Sequence, residues 1–240
     1  MTGSDPQKMK TPKLVLFDID GTLISARHPI LSEAFFVTVE NTFGVKDDRI
    51  YDYSKFEGAT SRYICKAILE KHKVPVTEEN IQKYFRAMYK YVVENMDESY
   101  GKGLFPEVIP FLTKLKENGI YRGVITGNGE DVGWHKLKVV GIDKYFDFGV
   151  FGDIPEKQDE LAAQVGPKAL NVLGFTFKPE NIFVIGDTEK DVERAKAIGA
   201  KSIGVLTGRN DYLSAMQKAG ADLIVSDLSD LEVINFIHNS

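Results

Sequence analysis

The sequence predicts an α/β protein: a doubly wound parallel sheet, interrupted after its first strand by an inserted all-α domain. Three observations carry this. The apolar run Leu14-Val15-Leu16 is too brief for a helix and reads as a buried strand, about Lys13–Ile19, running into Phe17-Asp18-Ile19-Asp20-Gly21-Thr22-Leu23. From about Ile24 to Leu104 the pattern is helical, with no strand-like run. From Phe105 to Ser240, short apolar strands alternate with amphipathic helices, as in parallel βαβ units. Residues 13–23 and 105–240 are therefore expected to form one core, with 24–104 inserted and 1–12 a disordered polar leader.

Within the insert, helices are expected over Leu31–Phe43, Ser61–His72 and Glu78–Met96. The last carries Ile81, Phe85, Met88 and Val92 at helical spacings, and Thr77-Glu78-Glu79-Asn80 resembles an N-cap with acids in the first turn. The aromatic stripe Tyr84, Phe85, Tyr89, Tyr91 suits packing better than a ligand platform. In the third stretch the expected order is helix Val108–Asn118, strand Tyr121–Thr126, helix Asp131–Val140 and strand Tyr145–Phe151. Helix Asp159–Leu173, strand Ile182–Ile185, helix Lys190–Ile198 and strands Ser202–Val205 and Leu223–Val225 follow.

Composition narrows the function. Of 240 residues, 43% are hydrophobic and 27% charged, ordinary for a globular protein, and the net charge of −5 with no basic block gives nucleic-acid binding no electrostatic support. The single cysteine, Cys65, cannot form an intrachain disulfide. No apolar stretch approaches the roughly 18 residues of a membrane span. A cytoplasmic protein with neither nucleic acid nor membrane as partner is expected.

Ligands of open parallel sheets bind beyond the carboxyl ends of the strands, so polar groups there are the candidates. Asp18 and Asp20 alternate at the end of the first strand and can share a face. Asp-x-Asp-Gly also occurs in plain turns. Two like charges that close need compensation, and Mg²⁺ is the simplest cation, since it takes one or two carboxylates plus waters and phosphate oxygens. Thr126-Gly127-Asn128-Gly129 ends another strand before a helix, either an anion cradle or an ordinary strand–turn–helix. Asp187 and Asp191 lie after the strand Ile182–Ile185, on the same edge, and suit a metal site better than capping alone. For a side-chain cation, Lys157, near the strand end, is preferred to the mid-helical Lys168.

These residues, in this order, resemble the haloacid dehalogenase superfamily of phosphatases and related hydrolases. Phe-Asp-Ile-Asp-Gly-Thr looks like its first motif, Ile125-Thr126-Gly127-Asn128 its second and Gly186-Asp187-Thr188-Glu189-Lys190-Asp191 its fourth. The helical insert falls where that family carries its helical cap. The third motif departs from the family's frequent Lys-Pro-x-Pro, with Glu156-Lys157-Gln158-Asp159 in its place.

The resemblance implies a Rossmann-like core and phosphoester chemistry on a small phosphorylated metabolite. Asp18 would be the nucleophile and Asp20 the acid and then the base. Mg²⁺ would lie on Asp18, the Asp20 backbone carbonyl and Asp187, with Asp191 orienting the lysine or metal-bound waters. Thr126, Gly127 and Asn128, with Lys157, would hold the phosphoryl group. A β-phosphoglucomutase-like phosphotransferase is the alternative enzyme. A non-catalytic module is the alternative outside enzymology, although no catalytic carboxylate is missing. In the cap, Gly58, Thr60 and Arg62 resemble a substrate loop, Arg62 pairing with a carboxylate or phosphate. The competing reading makes Thr60 or Ser61 an N-cap and leaves Arg62 in solvent.

Overall fold

Leu14–Phe17 forms the first strand, β1, and all four of its side chains are buried. It lies between β2 (Tyr121–Thr126) and β4 (Ile182–Gly186), with Leu14 opposite Tyr121 on one side and Ile182 on the other. Outside these lie β3 (Phe148–Phe151) on one flank, and β5 (Lys201–Val205) then β6 (Leu223–Val225) on the other. Every pairing is parallel, in the order β3-β2-β1-β4-β5-β6. The computed structural model describes residues 11–26, 29–52, 55–96, 98–208 and 211–240. Most of the polar leader, residues 1–10, falls outside them.

Helices α1 (Ile30–Phe43), α2 (Ser61–Lys71), α3 (Glu78–Asn95) and the short α4 (Glu98–Gly101) intervene between β1 and α5 (Val108–Glu117). The remaining helices are α6 (Glu130–Val139), α7 (Gln158–Ala163), α8 (Val165–Leu173), α9 (Glu189–Ala197), α10 (Leu213–Ala219) and α11 (Leu231–Asn239).

The unbroken apolar run of β1 is explained by helices on both faces, because alternate strand side chains point opposite ways. Val15 and Phe17 belong to a cluster with Phe111 and Leu112 of α5, Leu137 of α6 and Ile237 of α11. Leu14 and Leu16 belong to another with Leu161 of α7, Val165 of α8 and Ala195 of α9. The insert has a third cluster, built from Val39, Ile68, Tyr84 and Met88 and joined by Val132 of α6. Its entry and exit segments run side by side, bridged at Ile24 and Leu104.

Three local departures have physical causes. The expected helix Asp159–Leu173 is broken at Gln164, between α7 and α8. In a continuous helix the Pro167 ring would meet the carbonyl four residues back; the break leaves Pro167 in a first turn, where proline is tolerated. The expected strand Tyr145–Phe151 begins only at Phe148, because Asp143–Tyr145 closes a 3₁₀ turn. Between the last two strands, where the sequence pattern predicts no helix, α10 makes the crossover that parallel neighbours require.

The chain builds outward from β1 to β3, then returns to place β4 on the other side of β1. The crevice at this reversal lies beyond the carboxyl ends of β1 and β4, the expected ligand position for such a sheet. Asp18 follows one of these strands and Asp187 the other.

Candidate active site

Asp18 leaves β1 with its N–H still donating to the Ile185 carbonyl (3.0 Å), which anchors it beside β4. Asp187 directly follows β4, and Asp191 lies in the first turn of α9. One carboxylate oxygen from each of the three acids lies within 4.8 Å of the others. Asp191 completes a capping box: its Oδ2 accepts from the Thr188 N–H (3.1 Å) and hydroxyl (2.8 Å). Its Oδ1 accepts from Arg194 Nη1 at 2.6 Å. Thr22 donates to Asp187 at 3.3 Å. Gly21 is demanded twice: φ is +85°, and a Cβ there would lie 2.2 Å from Asp187 Oδ2.

This crowding sets the electrostatics. Burial, then the charge of Asp191, push the Asp18 carboxyl up to about 7, while Arg194 pulls the other way. Burial, then Asp191 and Asp18, push Asp187 up to about 9. An oxygen-only donor set whose carboxyls resist ionising side by side fits a hard divalent cation, which would displace their protons.

A pH dependence follows. Unfolded, these carboxyls release protons near pH 4, whereas the folded metal-free protein holds them until about 7 and about 9. The folded state thus binds more protons in between, and this contribution to stability is lost as pH rises through that window. The melting temperature in chelator should fall between pH 5.5 and 8.5, and Mg²⁺ should raise it more at the higher pH. Equal Mg²⁺ effects at both pH values, measured by thermal denaturation, would refute the assignment.

Asp20 lines the same cavity but does not join the three clustered acids. Its Oδ2 accepts from Asn128 Nδ2 (2.8 Å) and from Lys136 Nζ (2.5 Å). Lys136 also donates to Asn128 Oδ1 (2.7 Å), and Asn128 donates to the Thr126 hydroxyl from its side chain (2.8 Å) and its backbone (3.3 Å). Lys136 is fully buried, so desolvation pulls its pKa down while the Asp20 charge holds it up.

Lys157 is not brought to these acids. It precedes α7 and lines a separate cavity with Lys55, Glu156 and Lys190. The side chain that turns inward is the next one: Gln158 Nε2 donates to the Gly58 carbonyl (2.8 Å), and its Oε1 accepts from Arg194 Nε (2.6 Å). Lys168 pairs with Glu130 at 3.9 Å on the surface. The cations facing the acids are Lys136 and Arg194, among the described residues.

The insert closes over this edge. Thr60 caps α2, accepting from the Tyr63 N–H (3.2 Å), and its hydroxyl donates to the Glu156 carbonyl (3.1 Å). The next two N–H groups, which a helix leaves unpaired, donate to the core: Ser61 to Gly127 O (2.7 Å) and Arg62 to Gly152 O (2.8 Å). The Arg62 side chain is directed to Glu78 (2.5 Å) and the Asp153 carbonyl (3.3 Å), which places it outside the cavity. Gly58, at φ +66°, approaches α9 so closely that a Cβ would lie 2.7 Å from Lys190 Cγ. Between insert and core is a cavity of about 240 Å³. Its core side has Asp18, Asp20, Asp187, Thr126 and Arg194; Phe35, Phe56, Ile64 and Met88 are among its insert residues.

The family model for haloacid dehalogenase-like hydrolases matches residues 15–205, from β1 through β5. The chain belongs to that family. This haloacid dehalogenase-like hydrolase is 26% identical over 235 residues to the phosphoglycolate phosphatase of Escherichia coli (strain K12), covering 90% of each. Among solved structures, β-phosphoglucomutase from Clostridium difficile superposes with a TM-score of 0.70 at 20% identity, over 95% of this chain and 98% of that one. A predicted phosphoglycolate phosphatase from Haemophilus somnus 129pt gives 0.63 at 20% identity, over 95% and 99%. At these identities the superpositions establish the shared fold.

The hydrolase's two cations were legible only in part. Lys136 stands four residues after Val132 and beside Leu137, on the buried face of α6, so a lysine at an apolar position was the available signal. Arg194 is one helical turn after Asp191 and could have been paired with it by spacing alone.

Proposed function

We propose that this phosphoric monoester hydrolase removes phosphate from a small phosphorylated metabolite through an aspartyl-phosphate on Asp18, with Mg²⁺ as cofactor. The observation that carries the reading is the separation of two carboxylates only two residues apart into unlike surroundings. Asp18 faces Asp187 and Asp191, whereas Asp20 is held by Lys136 and Asn128. Unlike environments for neighbouring acids are how one site divides nucleophilic from acid–base work.

Asp18, Asp187 and Asp191 would hold the metal, which supplies charge neutralisation for the phosphoryl oxygens. An Asp18 oxygen attacks phosphorus and the bond to the ester oxygen breaks. Asp20 passes to that departing oxygen the proton that the Asp20–Lys136 pair holds between its two atoms. Asp20 then takes a proton from water, whose oxygen attacks the same phosphorus and releases inorganic phosphate, regenerating Asp18. Lys136 and Asn128 fix the Asp20 carboxyl throughout. Thr126 and the Gly127 N–H, at the end of β2, are assigned to the phosphoryl oxygens. Residues 24–104 act as the cap that admits and selects the ester.

The test is phosphate release, with and without Mg²⁺, from a panel holding an aryl phosphate, hexose phosphates and 2-phosphoglycolate. Metal-dependent release from at least one ester is expected. No release from any would overturn the phosphatase reading, and conversion of one hexose phosphate isomer into another would replace it with a mutase.

A further inference from the structure

We propose that Arg194 is a positioning residue that couples the seat of the inserted domain to the attacking carboxylate; the proposal rests on Asp18 as nucleophile. Its side chain is only 1% exposed and meets four partners. Nε donates to Gln158 Oε1 (2.6 Å) and Nη1 to Asp191 Oδ1 (2.6 Å), with Asp18 Oδ1 at 3.6 Å from Nη1. Nη2 donates to the Gly58 carbonyl of the insert (3.3 Å).

A guanidinium is planar, keeps its proton and presents its donors in a rigid fork. The acids and the Gly58 carbonyl are therefore held in one fixed relation, Gln158 setting the rotation of the plane. The same carbonyl also accepts from Gln158 Nε2 (2.8 Å), so two core donors fill its acceptor positions. Lifting this loop strips both donors of a partner, and buried donors left unpaired are costly. A lysine would supply the charge from a single atom but could not span acid and carbonyl together. Arg194 thus orders Asp18 best when the Gly58 loop is seated on the core.

Charge and bridging are separable in Arg194→Lys. This variant should bind Mg²⁺, followed by calorimetry, like the wild type, while amide exchange at Ser61 and Arg62 becomes faster. Its kcat should fall about 10–100-fold, the scale of a small misplacement of a reacting group, with little change in KM. Arg194→Gln should show the same exchange and bind Mg²⁺ more tightly, because a positive charge has left the acids. Gln158→Ala, which touches no acid, should also speed exchange at Ser61 and Arg62 and serves if the Arg194 variants fold poorly. Wild-type exchange and kcat in folded Arg194→Lys, or wild-type exchange in Gln158→Ala, would overturn the coupling. If the wild type releases phosphate from no ester, the phosphatase reading fails, whereas the exchange and Mg²⁺ measurements still judge the bridge.

Discussion

Asp18→Asn should leave a folded protein that releases phosphate at least about 10⁴-fold more slowly, because an amide cannot form the covalent intermediate. The substitution preserves shape where space is short, since the Asp18 side chain is only 14% exposed. It also removes one of the crowded charges, because the Asp18 carboxyl is pushed up to about 7 by burial and Asp191. The metal-free variant should therefore melt at or above the wild-type temperature at pH 8.5, where the wild type carries the ionised group at a cost. Steady-state kinetics and thermal denaturation check both parts. A kcat within tenfold of wild type would remove Asp18 as nucleophile. A melt well below wild type would instead show that the carboxylate is structural.

The second large effect is expected at Lys136. Lys136→Met should lower kcat by about 10²–10³, the usual loss when one preorganised charged donor leaves a reacting group, with KM nearly unchanged. Stability should fall as well. Breaking a buried ion pair on one side costs about 3–5 kcal/mol, and the lower end applies here because Asp20 retains 26% exposure. Lys136→Met combined with Asp20→Asn separates the two roles. The double variant should recover much of the stability, since no uncompensated charge remains, and none of the activity. Lys157→Ala should retain wild-type kcat, because Lys157 lines a different cavity. Loss of activity in Lys157→Ala with full activity in Lys136→Met would return the lysine role to the former.

These contrasts mark how far residue order reaches. The strand β1, its acidic tip and the acids after β4 were legible because strand periodicity is short-ranged and the sheet edge is dictated by chain direction. The three long helices of the insert were legible for the same reason, Thr77 and Thr60 both serving as N-caps, whereas the four-residue α4 was not. Arg62 shows the limit: its spacing after Gly58 suits a substrate contact, but Glu78 on α3 lies across the packed helices and takes the guanidinium. No pattern within α2 encodes that partner. Lys136 and Lys138 illustrate it again, two residues apart on α6, the first fully buried on Asp20 and the second exposed.

For this protein, local sequence alone determined the α/β class, the inserted helices and the set of acids at the strand ends, since these depend on periodicity and on chain direction. Tertiary structure alone decided which cations meet those acids. Strand order placed β4 against β1 and so brought Asp187 and Asp191 to Asp18. The packing of α6 and α9 then carried Lys136 and Arg194 inward, while the turn before α7 directed Gln158 rather than Lys157 towards the site. The physical reason is that charge compensation is settled by distance in space, and long flexible side chains take whichever buried carboxylate the packing offers.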